Sequence, residues 1–326
     1  MMDPSPLRLT VVIPTHNRHE KVINTIACIQ RQNLPGDQYE IIVVDDASNP
    51  PVTLPAEEGQ AKVSLIRFDK SVERAVGRTT AAEAGRGELV LFLDNDLIVE
   101  PDFLEQHLKA HEDWPGALVI GKILLPPQAL THPGIRFRQA LELTGVPDAR
   151  GPVISRTFCT AANMSIRRTR YLEMGGFHTE MVPIEDQDFA LRLTAEGGQI
   201  VFVPQALAIH DDEWLDFPRF CRRQQVSALH MVAFGRRYPE LDITKDRARI
   251  NGPIRWGLDG PSLAARKLLK SFLGSRPVQP LLFGFSEFLA RVAPESRALD
   301  SLYRLLLGIH MQRGYRLGLQ RFGSVS

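Results

Sequence analysis

The sequence has few of the features that mark several protein classes. Its 326 residues include only three cysteines, Cys28, Cys159 and Cys221, which lie far apart and form no CxxC pair. This spacing argues against a cysteine-based zinc site and a disulfide framework, so we interpret the cysteines as free thiols of a reducing compartment. No apolar run is long enough to span a bilayer, and the N-terminus lacks the regions of a signal peptide. We therefore expect a cytoplasmic location.

An excess of charge of one sign is also lacking. The 39 basic and 38 acidic residues nearly balance, and the formal net charge is +1. Because there is no global basic field, we expect no nucleic acid partner. Internal repeats and low-complexity tracts are absent too. What the chain does have is 44% hydrophobic residues, enough for a substantial core. The length fits one large domain, or one domain with an appendage.

Strand and helix patterns alternate in the N-terminal part of the chain. β-branched runs predict buried strands, and apolar residues at helical spacing predict helices. The predicted order is strand, helix, strand, strand, helix, strand, at residues 9–14, 17–32, 40–46, 61–68, 74–84 and 88–96. Such an order predicts an α/β fold with a mostly parallel, Rossmann-like sheet flanked by helices.

The rest of the chain divides near residue 212. Before it, we predict strands at 114–125, 157–168 and 199–209, a helix at 184–195, and a mobile loop rich in proline and glycine at 126–151. After it, amphipathic patterns at 217–238, 262–273 and 278–319 predict a helical extension over residues 213–326.

Polar side chains directly follow the apolar strands. Thr15 ends the first strand, Asp45 and Asp46 end the second, and Asp94 and Asp96 end the fourth. In an open α/β sheet these strand ends converge on one crevice, where ligands bind. Aspartates in turns or at helix N-caps would explain any one of these positions. That alternative explains less well three strands that all end in this way.

The sequence 94–96, Asp-Asn-Asp, is the sharpest of these features. Two carboxylates separated by one residue, after a buried strand, can hold a hard divalent cation together with phosphate oxygens. A turn with one capping aspartate is the alternative.

Several motifs together resemble glycosyltransferase family 2, whose members have the GT-A fold. They occur in the family's order, and the resemblance extends over roughly residues 8–212. The matching segments are VVIPTHNR at 11–18, IVVDDAS at 42–48, GELVLFLDND at 87–96, ANMSIRR at 162–168, GGF at 175–177 and IEDQDF at 184–189.

The resemblance implies a donor site in the first half of the catalytic domain. It makes residues 1–97 the nucleotide-binding half and residues 98–212 the acceptor-binding half. Arg78 lies where the family often has an arginine, although Thr79 and Ala81 replace the family's asparagine and glycine. The implied donor-binding residues are Pro14, Thr15, Asn17, Arg18, Asp45, Asp46, Arg78, Asp94 and Asn95.

A divalent cation, Mn²⁺ or Mg²⁺, is the implied cofactor. Asp96 would be its principal ligand, with Asp94 in support, and His210 matches a histidine that similar proteins use as a further ligand. Imidazole suits Mn²⁺ better than Mg²⁺. A structural role for His210 is an equal alternative.

The IEDQDF segment resembles the motif that carries the catalytic base. Asp186 would take the proton from the acceptor hydroxyl, with Glu185 or Asp188 orienting the base or the acceptor. Three acids that merely stabilise a helix N-terminus are the alternative. The implied acceptor-binding residues are Asn163, Met164, Gly176 and Asp188, which plain packing would also explain.

Taken together, the resemblance implies an inverting glycosyltransferase. It would move a sugar from a nucleoside diphosphate, with UDP as the first choice, to the hydroxyl of a saccharide, a lipid-linked or a small-molecule acceptor, in the synthesis of cell-surface or secondary glycans. The alternatives are a metal-dependent nucleotidyltransferase and a non-catalytic nucleotide-sugar-binding protein. The early segment at 14–18 lacks the glycines of a phosphate loop, which disfavours the former.

The C-terminal extension combines leucine and aromatic residues with arginine. In segments 281–291 and 302–319 this pattern is typical of a helix at a membrane interface. It allows peripheral attachment to the inner face of the membrane, and a homodimer contact would use the same pattern. Ordinary core packing is the favoured interpretation.

Overall fold

The computed structural model describes residues 7–54, 60–143, 150–153, 159–211 and 216–324. The chain forms two compact units. The first comprises residues 1–126 and 142–212, and the second comprises residues 127–141 and 213–326. The short segment 127–141 is thus grouped with the C-terminal helices rather than with the sheet.

A nine-stranded sheet organises the first unit. Its order is β3-β2-β1-β4-β8-β6-β9-β5, and β7 pairs with β9 outside this path. The strands are β1 (Leu9–Thr15), β2 (Tyr39–Asp46), β3 (Lys62–Phe68), β4 (Leu89–Leu93), β5 (Leu97–Val99), β6 (Leu118–Leu124), β7 (Gly151–Val153), β8 (Asn163–Arg167) and β9 (Ile200–His210).

Strand direction differs between the two halves of the sheet. Strands β3, β2, β1 and β4 are all parallel, as the N-terminal pattern predicts. Beyond β4 the sheet is mixed, because β8 runs antiparallel to both β4 and β6, and β5 and β7 run antiparallel to β9. The carboxyl ends of β1, β2 and β4 therefore share one edge.

Helices cover both faces of this sheet. Alternate residues of β1 point to opposite faces, so Val11 packs with helices α1 and α3, and Val12 packs with α2, α5 and α6. The predicted α/β fold with flanking helices is thus confirmed. The helices are α1 (His19–Ile29), α2 (Glu73–Ala84), α3 (Phe103–Asp113), α5 (Arg168–Glu173) and α6 (Glu185–Ala195).

The prediction of a mobile loop at 126–151 is wrong over most of its length. A 3₁₀ turn at Pro127–Thr131 leads into helix α4 (Pro133–Leu143). Pro133 occupies the first helical position, where a missing N–H costs nothing, so proline marks a helix start here rather than a loop. Residues 144–149, and residues 157 and 158 of the predicted strand at 157–168, lie outside the described residues.

The second unit is helical, as the sequence predicts from residue 217 onward. Its core joins Phe137 of α4 to Phe217, Phe220, Tyr303 and Leu306. The predicted helix at 278–319 is in fact two helices, because the first helix ends before Pro294 and the second begins after it. The C-terminal helices are α7 (Phe217–Arg237), α8 (Asp242–Asn251), α9 (Pro261–Leu273), α10 (Gln279–Val292) and α11 (Arg297–Phe322).

Two glycines bring α11 close to α7. A Cβ at Gly314 would clash with the backbone oxygen of Gln225, and one at Gly318 with that of Leu229. Only glycine permits this approach of the two backbones. In the part of the chain that the structure describes, no helix has the length and apolarity needed to cross a bilayer.

Candidate functional site

The polar residues at the ends of β1, β2 and β4 lie side by side. Thr15 is in register with Asp45 in the neighbouring strand. The buried hydroxyl of Thr15 accepts a 2.6 Å hydrogen bond from the side-chain amide of Asn95. Pro14, immediately before it, is only partly buried. The predicted donor-binding residues of all three strands therefore meet at one edge of the first unit.

The side chain of Asp45 is buried, and its carboxylate is bonded to other groups of the protein. Its carboxylate accepts hydrogen bonds from the backbone N–H groups of Ser48 and Val52, at 2.9 and 3.1 Å, and pairs with Arg67. Burial would raise the pKa of Asp45, but these hydrogen bonds outweigh it and lower the pKa below its ordinary value. In this structure Asp45 fixes the turn after β2, and its predicted contact with the donor stays a prediction.

Asp46 is only partly buried and points towards the start of α2. Its carboxylate accepts hydrogen bonds of 2.7 Å from the hydroxyl of Ser71 and from the N–H of Val72. Across from it, Asn17 adopts a positive φ of 55°, and its side-chain oxygen accepts a 2.7 Å hydrogen bond from the N–H of Asn49. The segment after β1 and the turn after β2 are thus locked together.

Asp96 lies between a cation and an imidazole. Its Oδ2 accepts a 2.5 Å hydrogen bond from Arg18 Nη1, and its Oδ1 lies 3.7 Å from His210 Nε2. Strand pairing causes this approach, because Leu97 of β5 is in register with His210 of β9. A pair of residues far apart in sequence is thereby brought together as the resemblance implies.

This donor set suits a divalent cation of the Mn²⁺ type. A carboxylate oxygen and an imidazole nitrogen are both ligands that Mn²⁺ accepts. Asp94 Oδ1 accepts a 2.7 Å hydrogen bond from Arg78, and the predicted supporting role of Asp94 at the cation stays a prediction. Within the described residues there is no cluster of three or more His, Cys, Asp or Glu side chains that would hold a metal ion by itself. In this part of the chain Asp96 and His210 thus provide a pair of candidate ligands rather than a complete cage.

Arg78 joins the acids after β4 to those at the start of α6. It is almost fully buried, and its guanidinium donates to Asp94 Oδ1 at 2.7 Å and to Glu185 Oε1 at 3.1 Å. Arg74, one turn earlier on α2, lies 3.7 Å from the same Glu185 oxygen. Glu185 Oε2 is buried and has no hydrogen-bond partner in the structure. The buried guanidinium thus ties two acidic motifs that the sequence separates by about 90 residues.

Asp186 carries a strongly shifted pKa. Burial and the negative charge of Glu185 raise it to about 7, against the opposing effects of the N–H of Gln187 and the charge of Arg78. Its oxygens accept hydrogen bonds from the N–H of Gln187, at 2.8 Å, and of Ala161, at 3.3 Å. A carboxyl group that titrates near neutrality can exchange a proton with a hydroxyl group.

Asp188 points to the other side of α6 and is fully buried. It accepts a 3.0 Å hydrogen bond from Arg192 one turn later, and it lies 2.9 Å from His178 Nδ1. Arg192 in turn donates to the carbonyls of Met174 and Gly176. Asp188 therefore stabilises the Gly175–Gly176 turn through Arg192, and its predicted role in acceptor binding stays a prediction.

Asn163 and Met164 are core residues rather than acceptor contacts. Both are fully buried in β8. The Asn163 amide donates to the backbone oxygen of Ala206 at 2.9 Å, and its oxygen contacts His107 Nε2 at 2.9 Å. Burial lowers the pKa of His107 to about 4, so this histidine is neutral in the contact. Neither side chain reaches the strand-end surface, and this corrects the sequence-based expectation.

Several residues of this site were not foreseen from the sequence. Arg74 is the clearest, and its spacing of four residues from Arg78 on one helix was the available signal. Arg67 and Ser71, which bind the two acids after β2, carried no recognisable signal, whereas Ser48 lies within the IVVDDAS segment.

Comparison with known proteins assigns a family to the part of the chain that carries the ends of β1, β2 and β4, whereas Glu185, Asp186 and His210 lie beyond the matched residues. The family model described as glycosyl transferase family 2 matches residues 10–170. An uncharacterized glycosyltransferase of Bacillus subtilis is 30% identical over 117 residues, which is 35% of this chain and 30% of that protein. A glucosyl-dolichyl phosphate glucuronosyltransferase of Haloferax volcanii is 23% identical, over 66% of this chain and 74% of that protein.

Solved structures support the same fold. A mannosyltransferase from Pyrobaculum calidifontis, in complex with GDP-Man and Mn²⁺, superposes with a TM-score of 0.61 at 20% identity, covering 95% of this chain and 88% of that one. At this identity the likeness shows the GT-A fold alone. The chain spans less than a third of the length of the Bacillus relative.

Proposed function

Through residues 10–170 this chain belongs to glycosyltransferase family 2, with a GT-A fold, and from that premise we propose that it is an inverting glycosyltransferase. It moves a sugar from a nucleoside diphosphate to an acceptor hydroxyl. The observation that carries the proposal is the buried Arg78, which ties Asp94 after β4 to Glu185 beside Asp186. Donor and acceptor chemistry need these two acidic motifs to be neighbours.

Asp186 is the proposed general base. It takes the proton of the acceptor hydroxyl while the acceptor oxygen attacks the anomeric carbon from the face opposite the diphosphate. The bond from that carbon to the diphosphate oxygen breaks, and the nucleoside diphosphate leaves with the bonding electrons. The pKa of about 7 supports this role, because a base is most effective when its pKa lies near the working pH.

The donor would lie along the ends of β1, β2 and β4. The nucleoside would contact Asp46 and the segment from Pro14 to Asn17. The partial burial of Asp46 and the hydrogen bond from Asn95 to Thr15 support this assignment. Asp96 and His210 are the residues that would hold a divalent cation, which supplies positive charge to the leaving diphosphate. Arg18 is a further cation at this edge, and Arg78 holds Asp94 in place.

The similar proteins suggest the classes of donor and acceptor. We take a UDP-sugar as the donor, with GDP-mannose as the second candidate because the similar mannosyltransferase binds GDP-Man. We take a lipid-linked saccharide as the acceptor, since the Haloferax relative is named for a dolichyl phosphate substrate. This assignment places the enzyme at the cytoplasmic face of a membrane, in the synthesis of cell-surface glycans. Residues 1–97 and 98–212 would serve donor and acceptor respectively.

Replacing the proposed base tests the function. The Asp186→Asn variant keeps the size of the side chain but cannot accept the proton. We expect release of nucleoside diphosphate during transfer to fall about a hundred- to ten-thousandfold. Donor binding, followed by thermal shift with Mn²⁺ present, should stay close to that of the parent protein.

An exposed acid at the other end of the same helix provides the matched control. The Glu196→Gln variant removes one negative charge, which pairs with Arg170. It should transfer sugar at the parent rate. Full turnover by Asp186→Asn would refute the assignment of the base, and the lack of donor binding by the parent protein would refute the proposed activity as a whole.

A further inference from the structure

Helix α10 is apolar on both of its faces. Phe283 and Ala290 face the core of the second unit. On the opposite side, Leu281, Phe285, Phe288 and Val292 each expose between 52% and 72% of their surface. Their spacing places them on a single stripe along the helix. A helix that is apolar all round belongs in an apolar environment on both sides, and among the described residues only its inner side has one.

Helix α9 repeats the feature. Leu268, Leu269 and Phe272 are each more than half exposed and lie on one face. Both helices pack against α11: a Cβ at Gly308 would meet the side chain of Lys270 of α9, and the ring of Phe283 of α10 lies 5.9 Å from that of His310. Each of the two helices therefore contacts α11 and also presents an exposed apolar face.

Most of the charged residues in α9 and α10 and in the turn between them are basic. Between Pro261 and Val292 the chain has five basic residues and one acid, Glu287. Glu287 lies 3.4 Å from His132, and Lys267 is buried in a pair with Asp259. The remaining basic residues are Arg266, Lys270, Arg276 and Arg291, and the structure gives none of them an acidic partner among the described residues.

We propose that the outer faces of α9 and α10, which we call the α9–α10 surface, bind an anionic lipid bilayer. Leucine and phenylalanine side chains enter the boundary between headgroups and acyl chains, while Arg266, Arg276 and Arg291 contact lipid phosphates. The positive charge of these arginines favours a bilayer over a second copy of this chain. A second copy of this chain would bring the same arginines against one another, whereas an anionic bilayer complements them. Trp256, exposed in the turn before α9, is of the type that favours such an interface.

Flotation with vesicles tests the proposal on the full chain. The probes are vesicles of phosphatidylcholine alone and of phosphatidylcholine with phosphatidylglycerol. We expect flotation only with the phosphatidylglycerol vesicles, and less of it at high salt, because salt screens the arginines. The double variant Phe285→Ser, Phe288→Ser should lose most of the bound fraction, and the triple variant Arg266→Gln, Arg276→Gln, Arg291→Gln should lose it too.

Matched controls separate these effects from a general loss of structure. Val226→Ser removes an equally exposed apolar residue from α7, and Arg31→Gln removes an exposed charge from the first unit. Both should bind vesicles like the parent, and all variants should melt at the parent temperature. The measurement needs no sugar transfer, so its result is independent of the proposed enzyme activity.

Three results would overturn the proposal. One is absence of flotation at low salt with phosphatidylglycerol vesicles. Another is undiminished flotation of both surface variants. The third is a parent protein that is dimeric in light scattering and becomes monomeric in the phenylalanine double variant, with no vesicle binding by either. That last result would assign the α9–α10 surface to self-association.

Discussion

Asp186 and Glu185 are adjacent acids that the structure uses in different ways. Glu185 is buried against the guanidinium of Arg78, whereas Asp186 accepts hydrogen bonds from the backbone N–H groups of Gln187 and Ala161. The charge of Glu185 and burial together raise the pKa of Asp186 to about 7. At the scale of single residues, Glu185 thus binds Arg78, while Asp186 has a pKa near neutrality.

The pH dependence of transfer follows from this shift. A base must be ionised to act, so turnover should rise with pH, with a midpoint near pH 7. An aspartate with an unperturbed pKa would give a midpoint at a much lower pH. Glu185→Gln removes the negative charge that raises the pKa of Asp186, so it should move the midpoint to lower pH. The measurement is a pH–rate profile under conditions where donor is not saturating.

The control for this profile is Glu196→Gln, which should leave the midpoint unchanged. An identical midpoint in Glu185→Gln and the parent protein would show that Asp186 is not the group that titrates.

Arg18 forms a salt bridge with Asp96, the residue that the family resemblance implies as a ligand of the divalent cation. Its side chain is half exposed, while the Asp96 carboxylate to which it donates is almost fully buried. A divalent ion held by Asp96 would compete with the guanidinium for the same oxygen. An exposed arginine can swing away at little cost, and a diphosphate is then a suitable partner for it. The salt bridge therefore fits a site that can exchange one cation for another.

At the scale of secondary-structure elements, strand ends were predictable from the sequence. Apolar runs that stop at Thr15, Asp45 and Asp94 indicate both the strands and the edge where they meet. Which of two adjacent acids turns inward was not predictable, because Asp45 and Asp46 look alike in sequence. The difference arises from Ser48, Val52 and Arg67, which surround only the first.

Distant contacts explain the misassigned residues. From the sequence alone, Asn163 has the character of a polar site residue. In the structure its side chain packs against Gly121 and contacts His107, and these two residues lie far from Asn163 in the sequence. Helix α3 was missed because its buried face includes this histidine in place of an apolar residue. The helix at 133–143 was hidden by proline, glycine and arginine residues that usually indicate a loop.

The Gly175–Gly176 turn between α5 and α6 offers a matched pair of substitutions. Both glycines have positive φ, at 75° and 64°. A Cβ at Gly175 meets nothing within 4 Å, whereas one at Gly176 would lie 2.8 Å from the hydroxyl of Thr79 on α2. We expect Gly175→Ala to lower the free energy of unfolding by about 1 kcal/mol and Gly176→Ala by about 1–3 kcal/mol.

Urea unfolding of the two variants gives this comparison directly. Equal losses would mean that the backbone conformation alone matters and that the turn does not pack on α2.

At the scale of the whole molecule, the chain separates two tasks between two units. The unit with the sheet carries every residue of the proposed catalytic site, and the helical unit carries the α9–α10 surface. Length and composition did allow a domain with an appendage, but they could not show that residues 127–141 join the C-terminal helices. That grouping depends on Phe137, which packs with Phe217 and Tyr303 at ring distances of 5.7 and 5.3 Å.

The central claim is that one edge of the sheet binds the donor diphosphate with its cation and faces the base. A crystal structure of the protein with Mn²⁺ and the nucleoside diphosphate of its donor tests it most directly. We predict an anomalous Mn²⁺ peak in contact with Asp96 and His210. Arg18 should move from Asp96 to the diphosphate, and Asp186 should face the position of the donor sugar. A nucleotide bound away from the ends of β1, β2 and β4, or a metal ion that contacts neither Asp96 nor His210, would contradict the account.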